Sequence, residues 1–159
     1  MQPPLIELHH EKVRPDWVDY NGHMNVAYYV LVFDHATDAL LDSIGLDQVH
    51  RESSGNSVFV AEAHLTYEKE VIEGDKLRVS TQVIDADQKR IHIFHRMHLE
   101  GSDDLTATNE LMILSVNLKT RRVAPFALEV MANLRPIVTS HSNLPRPNQA
   151  GQVIGINRT

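Results

Sequence analysis

From Asn25 to about Ser43 the apolar positions recur three and four apart. Val26, Tyr29, Val30, Phe33, Ala36, Thr37, Leu40, Leu41 and Ile44 fall on one side, while Asp34, His35, Asp38 and Asp42 take the rest. That spacing predicts an amphipathic α-helix long enough to lie across a whole sheet. Gly45 follows at the position where a left-handed residue ends a helix. After a polar loop containing Ser53, Ser54, Gly55 and Asn56 the period changes to two, and strands are predicted at 57–69, 75–86, 89–100 and 105–118. Asp85-Ala86-Asp87 and Gly101-Ser102-Asp103-Asp104 supply the turns. In the first of these strands Phe59, Ala61, Ala63, Leu65 and Tyr67 form one face, suited to a helix; Val60, Glu62, His64 and Thr66 form the other, which is half polar.

Residues 5–13 read as a weaker first strand, and Pro125 to Met131 as a short terminal helix. Four long sequential strands after one long helix imply an α+β fold, a curved antiparallel sheet wrapped around that helix. Residues 1–139 form one domain in this reading. From 140 to 159 Asn, Pro, Gly and Gln predominate, and a loose or partner-dependent tail is expected.

Composition narrows the chemistry. The chain has 159 residues, 42% of them hydrophobic, enough for the core of one domain. It has no Cys, which excludes disulfides, thiolate nucleophiles and Cys-ligated metal or iron–sulfur sites. Ten His keep a histidine metal site open in principle. Their spacing is unlike the familiar motifs, since His9 and His10 are adjacent and His92, His95 and His98 sit in a strand pattern. No metal and no cofactor is therefore expected. The first residues lack a basic region followed by an apolar run, and no segment approaches a membrane span; a cytoplasmic protein without membrane contact is expected. A formal net charge of −6 argues against a nucleic-acid partner. The local exceptions are Lys89-Arg90 and Arg121-Arg122, each readable as a solvated turn or as a grip on an anion.

The stretch Trp17-Val18-Asp19-Tyr20-Asn21-Gly22-His23-Met24-Asn25 brings a carboxylate, a turn and an imidazole to the start of the long helix. Gly22 can adopt positive φ, and Asn21, His23 or Asn25 can satisfy first-turn amides. The remaining free amides suit an anion or a carbonyl oxygen acquiring negative charge. Asp19 would then serve as base or nucleophile. The same residues also read as plain caps. His23 is either an orienting imidazole or a first-turn hydrogen bonder, and Asn25 is a cap or a site-shaping amide. Trp17 and Tyr20 flank Asp19, with ring faces suited to a quaternary ammonium or to an aromatic or alkyl chain. Glu62 and His64 are solvated, or they line a site shared with a second subunit.

Asp19-x-x-Gly22-His23-x-Asn25, followed by Tyr28-Tyr29 and Asp34, resembles the signature of the 4-hydroxybenzoyl-coenzyme A thioesterase branch of the hot-dog superfamily. The strand from Val58 to Tyr67 running into Glu73-Gly74-Asp75 agrees with it. The resemblance implies hydrolysis of an acyl-coenzyme A thioester, with Asp19 the catalytic acidic residue and the Val26 amide facing the thioester oxygen. It also implies basic residues near the sheet rim, Lys89, Arg90 and Arg121 here, holding the nucleotide end. Self-association as a homodimer or dimer of dimers is implied as well, with Glu62 and His64 reaching a shared site. A non-catalytic acyl-binding protein is the alternative. Within the branch, the segments from Phe59 to His64, Phe94 to Met97 and Ala107 to Met112 resemble enzymes acting on betainyl-coenzyme A. That narrower resemblance implies Trp17 or Tyr20 against a trimethylammonium group, with Glu62 matching its charge.

Overall fold

The computed structural model describes residues 4–156 and residue 158. Strand β1 (Ile6–Lys12) leads through a single 3-10 turn (Pro15–Trp17) to helix α1 (Val26–Ser43). A short helix α2 (Gln48–Ser54) occupies the expected polar loop. Strands β2 (Asn56–Tyr67), β3 (Lys76–Ala86), β4 (Arg90–Leu99) and β5 (Leu105–Asn117) follow within two residues of their predicted bounds, then the two-residue β6 (Arg122–Val123) and helix α3 (Leu128–His141). The order across the sheet is β1-β3-β4-β5-β2, with β6 also on β5, and every pairing is antiparallel. α1 lies against the concave face, giving the hot-dog arrangement.

Capping fixes both ends of α1. Asn25 Oδ1 accepts the Ala27 N–H at 2.9 Å, the standard N-cap bond. At the other end the Leu46 N–H reaches the Leu41 carbonyl and the Gly45 N–H the Asp42 carbonyl, a Schellman pair that needs Gly45 at φ +90°. The buried stripe is Tyr29, Val32, Phe33, Ala36, Thr37, Leu40 and Leu41. Val26 and Val30, expected in that stripe, are 56% and 42% exposed instead, with Val26 lining a surface cleft at the helix start.

Two apolar clusters fill the space beneath α1. Near its start Tyr29, Val32 and Phe33 pack on Leu77, Val79, Met97 and Ala107; near its end Leu40, Leu41 and Ile44 pack on Val83, Ile91, Ile93 and Ile113, closed off by Val130, Met131 and Leu134 of α3. His95 sits between them, fully buried. The Thr37 hydroxyl donates to the Phe33 carbonyl at 2.9 Å, so toward His95 Nε2, also 2.9 Å away, it must accept. Nε2 thus carries the ring proton, and Nδ1 accepts from the Thr81 hydroxyl at 2.8 Å. Burial pushes the imidazole down to about 3, which keeps it neutral.

Three expectations are corrected. The faces of β2 switch at a bulge between Val60 and Glu62, so Val60 joins Ala63, Leu65 and Tyr67 on the helix side, and Phe59 joins Glu62, His64 and Thr66 on the other. α3 has 14 residues and runs through Pro136 to His141, crossing the expected domain limit at 139. It continues because its apolar side is already anchored on the core. The tail is not loose throughout. β1 covers β3 only to Thr81, and beyond that His141 Nδ1 accepts the Val83 N–H. The chain then rounds the sheet edge: Pro145 accepts from Gln82, the Gly151 N–H reaches Glu110 Oε2 at 2.7 Å, and Pro147 is buried.

Candidate active site

Residues 18–24 form a small hairpin rather than a simple lead into the helix. Val18 bridges Met24, the Asp19 N–H reaches the His23 carbonyl, and the Gly22 N–H reaches the Asp19 carbonyl. Gly22 at φ +81° closes the turn, the left-handed residue that such a loop demands. No atom stands within 4 Å of where its Cβ would be, so backbone conformation and not crowding selects glycine there. Asp19 is half-buried at the neck of this loop. One of its oxygens accepts the Asn21 N–H at 2.8 Å, which orients the carboxylate and leaves the other oxygen available.

The Asn25 N–H bonds to the Trp17 carbonyl, clamping the loop to the first turn of α1. Of the first-turn amides, Ala27 is capped by Asn25 and Tyr28 donates to the Asn25 carbonyl; the Val26 N–H has no partner among the described residues. Val26 lines a cleft of about 180 Å³ together with His23, Met24, Tyr29, Tyr67 and residues 68–70. The Tyr67 hydroxyl donates to the Val26 carbonyl at 3.4 Å, and the Tyr29 and Tyr67 rings meet edge to face at 5.2 Å. Burial raises both phenols, so they stay neutral hydrogen-bonding groups near pH 7. Glu68 and Glu70 add carboxylates, while Lys69 is paired with Asp104 at 2.7 Å. This is a polarising amide beside an imidazole, two aromatic rings and net negative charge, chemistry that suits a carbonyl carried by a cationic group.

Asp19, His23, Asn25 and Val26 therefore share the helix start, and other expected residues do not. Trp17 is 3% exposed, stacked on Tyr28 with ring centroids 5.3 Å apart and with the Arg14 guanidinium over the ring, so its faces are already covered. Tyr20 is 97% exposed at the loop tip. Glu62 and His64 lie on the sheet face away from α1, in a separate cavity of about 350 Å³ with His92, Glu110, Arg146 and Val153. The even-numbered side of β2 beyond its bulge turns them there. Lys89 and Arg90 sit on the β3–β4 turn and Arg121 beyond β5, at the end of the sheet under the C-terminus of α1. Arg90 is bonded to Asp87, whose carboxyl it holds below the usual range, and Arg121 covers the Phe59 ring at 5.0 Å. None of the three lines the cleft. Tyr67 and residues 68–70 escaped the sequence analysis; a strand end carrying Tyr-Glu-Lys-Glu is a readable signal only once the strand is known to stop beside the helix start.

Comparison with known proteins fits this geometry. The family model described as thioesterase-like superfamily matches residues 13–134. A betainyl-CoA thioesterase of Pseudomonas aeruginosa is 45% identical over 96% of both chains. An L-carnitine dehydrogenase/betainyl-CoA thioesterase of Rhizobium meliloti is 40% identical over 96% of this chain, which matches 31% of that longer protein. A Staphylococcus aureus protein solved in complex with CoA superposes with a TM-score of 0.91 at 30% identity, covering 99% of this chain and 98% of the other. The match takes in most of the chain, including the loop and helix start that form the cleft, and the chain accordingly belongs to the thioesterase-like superfamily.

Proposed function

We propose that this protein hydrolyses betainyl-coenzyme A to glycine betaine and coenzyme A. The observation that carries the reading is that Val26, whose amide has no partner among the described residues, lines a cleft with Tyr29, Tyr67, Glu68 and Glu70. The amide holds the carbonyl oxygen as it gains charge. Asp19 takes a proton from the attacking water, the C–O bond forms, the C–S bond breaks, and the proton passes to the leaving sulfur. Direct attack by Asp19, giving an anhydride that water then opens, uses the same placement. The trimethylammonium group sits against Tyr67, whose ring is exposed and backed by buried Tyr29, a role taken over from Trp17. The 45% identity to a betainyl-CoA thioesterase supports this substrate, and the fused relative supports a place in L-carnitine breakdown.

The working unit in this reading is a homodimer or a dimer of dimers. β2 is an edge strand of 12 residues with no buried position, the kind of edge that pairs with another chain. Antiparallel pairing with its two-fold copy sets the Phe59 end of one strand beside the Tyr67 end of the other. That sets the partner's Arg121, which covers Phe59 on the sheet face away from α1, at the Tyr67 end of the strand, where it holds a coenzyme A phosphate outside the cleft. The test is kcat/KM for betainyl-coenzyme A against its uncharged 3,3-dimethylbutyryl counterpart. A preference of about tenfold or more for the cation is expected, lost in Tyr67→Leu. Asp19→Asn is expected to lower kcat about a hundredfold or more. Equal efficiency on both substrates rejects cation recognition, and full activity of Asp19→Asn rejects its role.

A further inference from the structure

A second group of side chains converges away from the cleft. His9 and Glu11 are two apart on β1 and share a face; their register partners Val79 and Leu77 are core residues, so that face looks toward α1. His35 meets them from the helix. His35 Nδ1 and His9 Nε2 each lie 2.8 Å from the same oxygen, Glu11 Oε2, and one ligand atom from each residue falls within 4.8 Å of the others. All three side chains are partly buried.

Two imidazoles share that one oxygen, so the carboxylate already gathers two groups that can also bind a cation. Among the described residues Glu11 has no Lys or Arg partner; its ion-pairing groups are these two imidazoles. Positive charge is scarce nearby as well. Asp34, Asp38 and Asp42 line the adjacent exposed side of α1, and desolvation together with the repulsion of Asp34 and Asp42 pushes the Asp38 carboxyl up.

We propose that His9 Nε2, Glu11 Oε2 and His35 Nδ1 form a binding site for a zinc-class divalent cation that ties edge strand β1 to α1. Two imidazole nitrogens and one carboxylate oxygen, with a fourth position open to solvent past the exposed side of His35, are a ligand set such ions take. Tetrahedral ligands about 2.0–2.1 Å from the ion stand about 3.3 Å apart. The two 2.8 Å nitrogen–oxygen separations have to widen by about half an ångström, and the two nitrogens, within 4.8 Å of each other, have to settle at a similar spacing. Each neutral imidazole frees its ligating nitrogen by carrying its proton on the other ring nitrogen. A hard cation such as magnesium, which wants six oxygens, fits poorly. His35 is nine residues beyond Val26, about 14 Å along the helix axis, so the ion braces the fold and takes no part in the cleft chemistry.

The test uses the full chain, stripped with chelator and titrated with Zn(II) by calorimetry and thermal denaturation. One ion per chain at micromolar affinity or tighter is expected. At an ion concentration about a hundredfold above Kd, Tm should rise by about 5 °C or more, with no shift from Mg(II). His35→Gln and Glu11→Gln should each weaken binding tenfold or more without changing the circular dichroism of the folded chain. Co(II) absorption of the wild-type protein gives a readout that needs no variant, since a four-coordinate nitrogen–oxygen site yields a visible band unlike that of the aqueous ion. Binding no tighter than millimolar, an aqueous-like Co(II) spectrum, or unchanged affinity in both variants would overturn the proposal.

Discussion

His95 links the core to pH. Its folded-state value is lowered to about 3, whereas in the unfolded chain it titrates near 6.5. Between those two values the unfolded chain binds the extra proton, so stability is full above about pH 6.5 and falls as the pH drops toward 3. One such group contributes a slope of at most about 1.4 kcal/mol per pH unit. Urea denaturation at pH 7.5, 6 and 5 should show wild type losing about 1–2 kcal/mol more than His95→Gln over that range. The variant itself will be less stable at pH 7.5, because Thr37 and Thr81 lose their ring partner. At this scale the sequence was a partial guide. Asp19, Gly22 and Asn25 announced their turn and cap through local chemistry, while nothing local marked His95, among ten histidines, as one that is fully buried.

At the scale of elements, β2 carries the most exposed apolar surface of any strand. Phe59, Val60 and Tyr67 are all exposed along it, and the Tyr67 hydroxyl bonds the first turn of α1, next to exposed Val26. A lone charge on such an edge is how natural sheets prevent pairing. Val60→Lys should therefore convert the proposed dimer into a monomer by light scattering at micromolar concentration, and should lower thioesterase activity in parallel while leaving the circular dichroism intact. A wild-type protein that scatters as a monomer would remove the partner's Arg121 from the proposed coenzyme A grip. Strand positions were legible because the period of two is long and regular. The bulge was not: an extra residue at Ala61 changes no side-chain chemistry, yet it reverses which residues see the helix, and with them the placement of Phe59 and Val60.

At the scale of the molecule, the C-terminal segment acts as a strap over the sheet face that α1 leaves open. Among the described residues it makes two hydrogen bonds to the sheet, Gln82 to Pro145 and Gly151 to Glu110, and buries Pro147. Ending the chain after His141 should destabilise it by roughly 2 kcal/mol, from two lost bonds and the exposed surface beneath, measured as a lower urea midpoint. The cavity holding Glu62 and His64 should open to solvent in the same variant, since Arg146 and Val153 form its outer wall.

The sequence by itself determined the long helix and its caps, the four main strands, the α+β class and the loop that meets the helix start. These follow from periodicity and from turn chemistry, which act over a few residues. Only the tertiary structure decided which distant groups stand together. It put Tyr67 and Glu70 beside the Val26 amide, sent Glu62 and His64 to the opposite face, moved Lys89, Arg90 and Arg121 to the far end, and gathered His9, Glu11 and His35 around one oxygen. The reason is geometric. Register, bulge and the path of the chain around a sheet edge depend on contacts between residues tens of positions apart, and local pattern carries no record of them.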